Sequence, residues 1–537
     1  MRRRLHFSHA VLAAACLSVF GCGSRPDSWD KAPSVTFAEG LSNSFTVIDE
    51  SINRADIMSI GPGLSLAQSR QQVGVSVANV RASADGERLF VLSRGQQPRR
   101  NPSDERPALW VYDGKGSGQL VSRYELSEAL DGLAIDPLGR YVVVYAAGDA
   151  NSFVDNPNEL IIIDTSKPAS DTNPAPRTIR SFGGRPQRLT FTSSLQLPSG
   201  QRRLLLVETD KDIAILDLDH LDRSEITVKL SDTGNVTPAG LVYTEGAPDR
   251  LDDTRIAVRT TAENSVFVLT LGQQTDPKAE NDFGVLVNIV GFTTVPSDFA
   301  FVNTDAGLRL AVLQPNVRKG TLVDPDTGVE TDVDMPAPYG RMAVVTRQVA
   351  DAPESGSDVA LLWGGAWSAA TGVAFWSLGK SVGQAYRSIE VLSDVAASVT
   401  DVVDVPAPND ALKILVPDQI TSAGGEFHVL NLAQRTAAPL HTTATQLGLT
   451  VSADGQRAWF YQEGGYDVAV VDLQTLHPTP LVLDRPIWKI YDVGTSDGGR
   501  AMVAMHRGGT LGATVLNALS PDEAASTRYA GILQGGF

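Results

Sequence analysis

Gln446-Leu447-Gly448-Leu449-Thr450-Val451 alternates apolar and polar or small residues, and Ser452-Ala453-Asp454-Gly455 follows it as a turn. Arg457-Ala458-Trp459-Phe460-Tyr461 then resumes in β-favouring aromatics, Gly464-Gly465 turns again, and Asp467-Val468-Ala469-Val470-Val471-Asp472 closes the unit. Alternation with a period of two is the pattern of strands. An Asp-Gly pair accepts the positive φ that a tight hairpin demands. The stretch therefore predicts three antiparallel strands, with Leu481-Val482-Leu483 as a more variable outer one.

Working outward, the same theme recurs nine times from about residue 74, roughly every fifty residues. The dense apolar runs begin at Arg88, Arg140, Arg203, Arg255, Leu308, Asp358, Leu412, Arg457 and Arg500. The polar turn reappears as Ser83-Ala84-Asp85-Gly86 and, varied, as Asp136-Pro137-Leu138-Gly139 and Ser496-Asp497-Gly498-Gly499. A period of this size marks stacked supersecondary units, each unable to bury both faces by itself. A ring of blades buries them against neighbours and closes on itself, which predicts an all-β protein built as a single large β-propeller. A sandwich array or solenoid is the competing architecture. Nine visible units give an expected ring of eight or nine blades. Asn43-Ser44-Phe45-Thr46-Val47-Ile48-Asp49 looks like one more third strand, able to complete the last blade.

The Ser-Ala-Asp-Gly turns, the apolar strand after them and the strand ending Val-Asp-Leu resemble the WD-repeat-like and YVTN-type superfamily of bacterial propellers. The Gly-His and Trp-Asp pairs and the Tyr-Val-Thr-Asn tetrapeptide of those families are missing, so the resemblance implies the fold and no ligand.

The N-terminus has the layout of a secretory signal: Arg2, Arg3 and Arg4, then an apolar stretch from Ala10 to Phe20 that is too short to span a bilayer. It ends in Val19-Phe20-Gly21-Cys22, which resembles the lipobox of bacterial lipoproteins. That resemblance implies cleavage after residue 21, acylation of Cys22 and a membrane anchor through the N-terminal lipid. Gly23 in place of Asp implies, by the same resemblance, the outer membrane. The expected organisation is a signal peptide over 1–21, a tether over 22–35 and the propeller over 36–537. The second cysteine, Cys16, would leave with the signal, so no internal disulfide is expected. A formal net charge of −17 repels nucleic acid and anionic head groups. No nucleic-acid partner is expected on that ground.

Chemistry-bearing motifs are few. Gly494-Thr495-Ser496-Asp497-Gly498 has the spacing of a nucleophile elbow but falls where the other repeats turn, so it is read as a hairpin. Asp324, Asp326, Glu330, Asp332 and Asp334 lie within eleven residues around Gly328; Asp324, Asp326 and Asp332 are the candidate calcium ligands, against a solvated acidic loop. His220, His428, His441, His477 and His506 form no local metal signature. Trp363 and Trp367 beside glycines, and Arg99 and Arg100 in a long basic loop, are the candidate interaction surface.

Together these residues predict an envelope lipoprotein, facing periplasm or exterior, that binds a protein or glycan as a scaffold. The alternative is a propeller hydrolase of the lactonase type, which needs carboxylates converging on a metal at the central channel.

Overall fold

The computed structural model describes residues from 32 onward, apart from 149–152, 180–183, 198–199, 231–237, 245–253, 262, 275, 277–278, 351–355, 368–369, 382–383, 386–387, 419–424, 443–446, 508–510, 519–521, 523–524 and 532–537. The signal segment and Cys22 lie outside the described residues. Ten four-stranded antiparallel sheets follow one another in chain order, each a meander in which neighbours in sequence are neighbours in the sheet. They span 35–72, 77–125, 132–178, 186–229, 238–291, 298–334, 341–392, 399–442, 447–482 and 489–529, and are called blades 1 to 10. A short two-stranded ribbon, Lys380–Ser381 with Gln384–Ala385, interrupts blade 7 before its outer strand.

The chain is a β-propeller with ten blades, not the eight or nine read from the repeat. The difference lies at the N-terminus. Residues 35–72 form a complete blade of their own, and the segment read as a stray third strand is its second strand, Ser44–Asp49. It was misread because its Val-Ile-Asp ending matches the third strands elsewhere, while its own hairpin lacks the Asp-Gly signal: Leu41 donates to the Ser44 carbonyl at 2.8 Å.

Alternating side chains on the inner strands are sorted to opposite faces, and each face meets a neighbouring blade. In the second strand of blade 2, Leu89 and Val91 pack toward blade 1 while Phe90 and Leu92 pack toward blade 3. Ten apolar clusters result, one at each junction, including the junction of blade 10 with blade 1, where Phe45, Val47 and Met58 meet Val503, Met505 and Val515. Fully burying each such side chain contributes about 1.5–3 kcal/mol, so the ten junctions hold the ring together.

Among the described residues no strand is exchanged to close the ring. Blade 10 is built wholly from residues 489–529, and it is fastened to blade 1 by polar contacts at several heights. The Tyr491 hydroxyl donates to the Ala38 carbonyl at 2.7 Å, the Ser496 amide to the Ile60 carbonyl at 2.9 Å, and the Tyr529 hydroxyl to the Leu64 carbonyl at 2.8 Å.

The Ser-Ala-Asp-Gly segments are the hairpins expected of them. Ser452 Oγ donates to Asp454 at 2.6 Å and accepts from the Arg457 amide at 2.9 Å, and Gly455 takes φ +66. A Cβ on Gly455 would also lie 2.3 Å from the Pro406 carbonyl oxygen of blade 8, so the glycine is required twice. The segment with elbow spacing is a hairpin as well: Thr495 donates to the Gly499 carbonyl, and Gly498 to that of Thr495.

Candidate functional site

First strands of successive blades touch one another, which places them around the axis, and outer strands lie at the rim. In such a meander the first strands begin, and the second strands end, at one end of the ring. The loops joining second to third strands emerge there too.

At that end the sheets are irregular. Blades 1, 2, 4, 5 and 8 each open with a β-bulge in the first strand, between Val35 and Phe37, Val77 and Asn79, Pro186 and Arg188, Pro238 and Gly240, and Val399 and Asp401. Bulges bend the strand and re-aim the side chain that follows. The residue after the bulge pairs with Ile48 in blade 1, Leu92 in blade 2 and Val416 in blade 8, all apolar. In blades 4 and 5 the partner is charged instead: Arg188 faces Glu208, and Gly240 faces Arg259.

Beside Gly240, Arg259 Nη2 donates to the Ala239 carbonyl at 3.1 Å and Nη1 to that of Pro296 at 3.3 Å. Glu208 is buried, with Oε1 3.8 Å from Arg188 Nε. Burial pushes the Glu208 carboxyl above the usual range, with Arg188 and Arg259 opposing. Burial also lowers Arg259, which Asp298 offsets and the like charges of Arg341 and Arg188 reinforce. On blade 6, Asp298 accepts from the Met342 amide of blade 7 at 2.9 Å, and its own carboxyl is raised by burial. Arg188, Glu208, Arg259, Asp298 and Arg341 thus form one field of charge across blades 4 to 7: three guanidiniums and two carboxylates.

Arg188 also borders a cavity of about 410 Å³ between the first strands of blades 3 and 4. Arg81 of blade 2 also lines it, with Tyr145, Gln187, Leu133 and Phe191. Guanidiniums present planar donor forks matched to carboxylate, sulfate and phosphate oxygens. The arrangement can therefore hold an anionic group against an apolar wall. Among the described residues, no group of three or more His, Cys, Asp or Glu side chains could hold a metal ion.

The residues singled out from sequence are dispersed. Arg99 and Arg100 are exposed in the loop between the second and third strands of blade 2, at the same end as the arginine cluster. Asp104 organises that loop by accepting from the Arg100 and Asn101 amides at 2.6 and 2.8 Å. Trp363 ends the second strand of blade 7 and is buried in the core between blades 7 and 8. Trp367 lies in the 3-10 turn Gly365–Trp367 that follows, again at this end. The acidic loop is at the opposite end. Asp324 lies 3.2 Å from Arg309, Asp326 2.6 Å from Arg255 and Asp332 2.7 Å from Lys319, so each carboxylate has a cation of its own. His506 is buried, between the Pro486 carbonyl at 3.1 Å and the Thr514 hydroxyl at 2.7 Å. Burial lowers its pKa, disfavouring the charged ring.

Sequence reading missed Arg188, Glu208, Arg259, Asp298 and Arg341. The available signal was a charge near the end of two dense runs, Glu208 and Arg259, where the other runs remain apolar.

No protein-family model matches the chain, and no curated protein matches it. Among solved structures it is similar to the dihydro-heme d1 dehydrogenase NirN in complex with DHE, at 13% identity over 86% of this chain and 78% of that one, with a TM-score of 0.40. It is also similar to a eukaryotic initiation factor, at 9% identity over 93% and 96% with a TM-score of 0.42. A third is apo AztD from Citrobacter koseri, at 10% identity over 82% and 93% with a TM-score of 0.34. These likenesses concern architecture, and neither ligand nor chemistry passes through them.

Proposed function

We propose that the protein is a cell-envelope lipoprotein, anchored through acylated Cys22, whose propeller is a binding module for an anionic partner. The partner is an acidic glycan or an acidic protein segment, taken at the end of the axis where Arg188, Arg259 and Arg341 gather. The observation that carries the reading is a cluster of three arginines against two carboxylates in a chain whose formal charge is −17. Evenly spread charge would make that end acidic, and a local cationic field in an acidic protein steers anions to one place. Arg99 and Arg100 are exposed at the same end, in a loop of blade 2.

A lactonase-type hydrolase would need carboxylates converging on one ion. Glu208 and Asp298 instead have the Arg259 charge acting on both, which favours binding over metal-assisted hydrolysis.

The test is calorimetry of the full chain in detergent with polygalacturonate, and with uncharged dextran as control. Polygalacturonate should bind, dextran should not, and the double variant R188Q/R341Q should weaken binding by about tenfold, with salt doing the same. Equal binding of both polymers, or none of either, sinks the reading. Anchoring is tested separately: Cys22→Ala should release the protein from membranes.

A further inference from the structure

We propose that the outer edge of blade 5 is a docking site for an extended segment of another protein in which apolar residues alternate with lysine or arginine, added as a fifth strand. The proposal goes beyond the anion site and uses a different face.

The outer strand of blade 5, Phe283–Gly291, reads Phe-Gly-Val-Leu-Val-Asn-Ile-Val-Gly. It pairs with its inner neighbour at all nine positions, from Gln273 with Phe283 to Ser265 with Gly291, without a bulge. It spans about 30 Å at the usual rise per residue. No described strand pairs with its other edge, so the outward amides and carbonyls form a template for a further strand.

Proteins blunt such edges with charges, prolines, bulges or short strands. The other nine outer strands here do so. Arg70, Arg123, Arg177, Lys229, Glu330, Glu390 and Arg528 place a charge on seven of them, and Pro439 and Pro478 interrupt the remaining two. Phe283–Gly291 carries neither charge nor proline. It also exposes its apolar side chains: Leu286 is 72% exposed, Ile289 61% and Val287 40%. Phe283 and Val285 pack toward blade 4 and Val290 toward blade 6, so Val287 and Ile289 open on one face and Leu286 on the other. An added strand would meet apolar contacts on both faces.

Charge decides the occupant. Asn288 lies against the Asp324–Gly328 turn of blade 6, and the adjacent outer strand of blade 6 carries the exposed Glu330, Asp332 and Asp334. Exposed Glu280 precedes the strand. A second copy would bring the same acidic surroundings and a net charge of −17 to the edge. A segment alternating apolar and basic residues meets both the apolar strand and its acidic border.

The experiment measures fluorescence anisotropy of a labelled octapeptide alternating lysine and valine against the full chain in detergent, with a glutamate–valine octapeptide as control. The lysine peptide should bind and slow amide exchange over 283–291. L286K/I289K, at exposed positions, should weaken binding by about tenfold. V121K, which adds charge at a 55% exposed position on the outer strand of blade 2, should leave it unchanged. Equal binding of the two peptides, equal loss in V121K, or protection elsewhere would overturn the proposal. So would a dimer of the unmodified protein that L286K/I289K dissociates, which would give the edge to a second copy.

Discussion

Arg188 and Glu208 face each other across the first two strands of blade 4, with Nε and Oε1 3.8 Å apart; one blade on, Gly240 and Arg259 hold the equivalent positions. Two neighbouring blades have exchanged an apolar contact near the axis for opposite charges. The exchange is incomplete in hydrogen-bonding terms, because Glu208 Oε1 accepts no hydrogen bond among the described residues. A buried carboxylate with spare acceptor capacity beside guanidiniums costs stability unless something else sits there.

The pH dependence of stability at Glu208 follows from the direction of its shift. Burial raises its folded pKa above the unfolded value. The folded state therefore binds the proton more tightly, and the stabilisation this gives is present at low pH and lost as pH rises through the folded pKa. E208Q, which cannot ionise, should match the unmodified protein in Tm at acid pH and exceed it increasingly toward neutrality. Paired thermal melts across pH check this. A difference that narrows as pH rises would show that Arg188 outweighs burial.

Gly455 and Gly139 both take positive φ in first hairpins, at +66 and +71, but their surroundings differ. A Cβ at Gly139 meets nothing within 4 Å, whereas one at Gly455 meets the Pro406 carbonyl oxygen at 2.3 Å. G139A should cost about 1–2 kcal/mol from backbone conformation alone. G455A should cost about 1–3 kcal/mol more, because backbone of blade 8 must move. Urea midpoints of the two variants measure the difference, and equal losses would mean that the blades are not packed turn against turn.

That hairpin shows why the architecture was legible and the site was not. Asp-Gly announces itself because few pairs tolerate its backbone, the alternation of Leu447–Val451 announces a strand by its period of two, and the dense run Ala458–Tyr461 announces one because both blade faces must be apolar. Such signals are local. The tenth blade escaped because Ser44–Asp49 has the composition of a third strand, and position within a blade depends on pairing that composition does not encode. The cluster escaped for a stronger reason. Arg188 and Arg341 are 153 positions apart in the chain, and only the curvature of the ring brings their charges to bear on Arg259. Trp363 drew notice as an aromatic beside glycines, yet its place at the end of a second strand puts it in the core.

Arg203 and Asp136 make a buried pair, with Nη2 donating to Oδ1 at 2.5 Å. It ties the second strand of blade 4 to the first hairpin of blade 3. Removing one partner strands the other charge away from water, a loss of about 3–5 kcal/mol. R203M should show that loss. R203M/D136L, which removes both charges, should recover most of it, so the coupling in a double-mutant cycle should be large. Additive single losses would mean that the two side chains do not depend on each other.

The acidic loop at the far end is built against calcium binding. A calcium ion needs several oxygens directed at one point. Here Asp324 is drawn to Arg309 on the second strand of blade 6, Asp332 to Lys319 on its third, and Asp326 to Arg255 on blade 5. Three cations on three strands pull the carboxylates apart. Asp324 is also committed within its turn, accepting from the Asp326 and Thr327 amides at 3.0 Å each, and these donors help hold its pKa below the usual range. Calcium would have to displace three ion pairs and reorient that turn before gaining a coordination sphere. Millimolar calcium should therefore move Tm by less than about 1 °C, whereas an ion bound only to the folded state would raise it in proportion to the logarithm of its concentration. A rise of several degrees that D324N abolishes would show that the carboxylates regroup around the ion and that the cations are its placeholders.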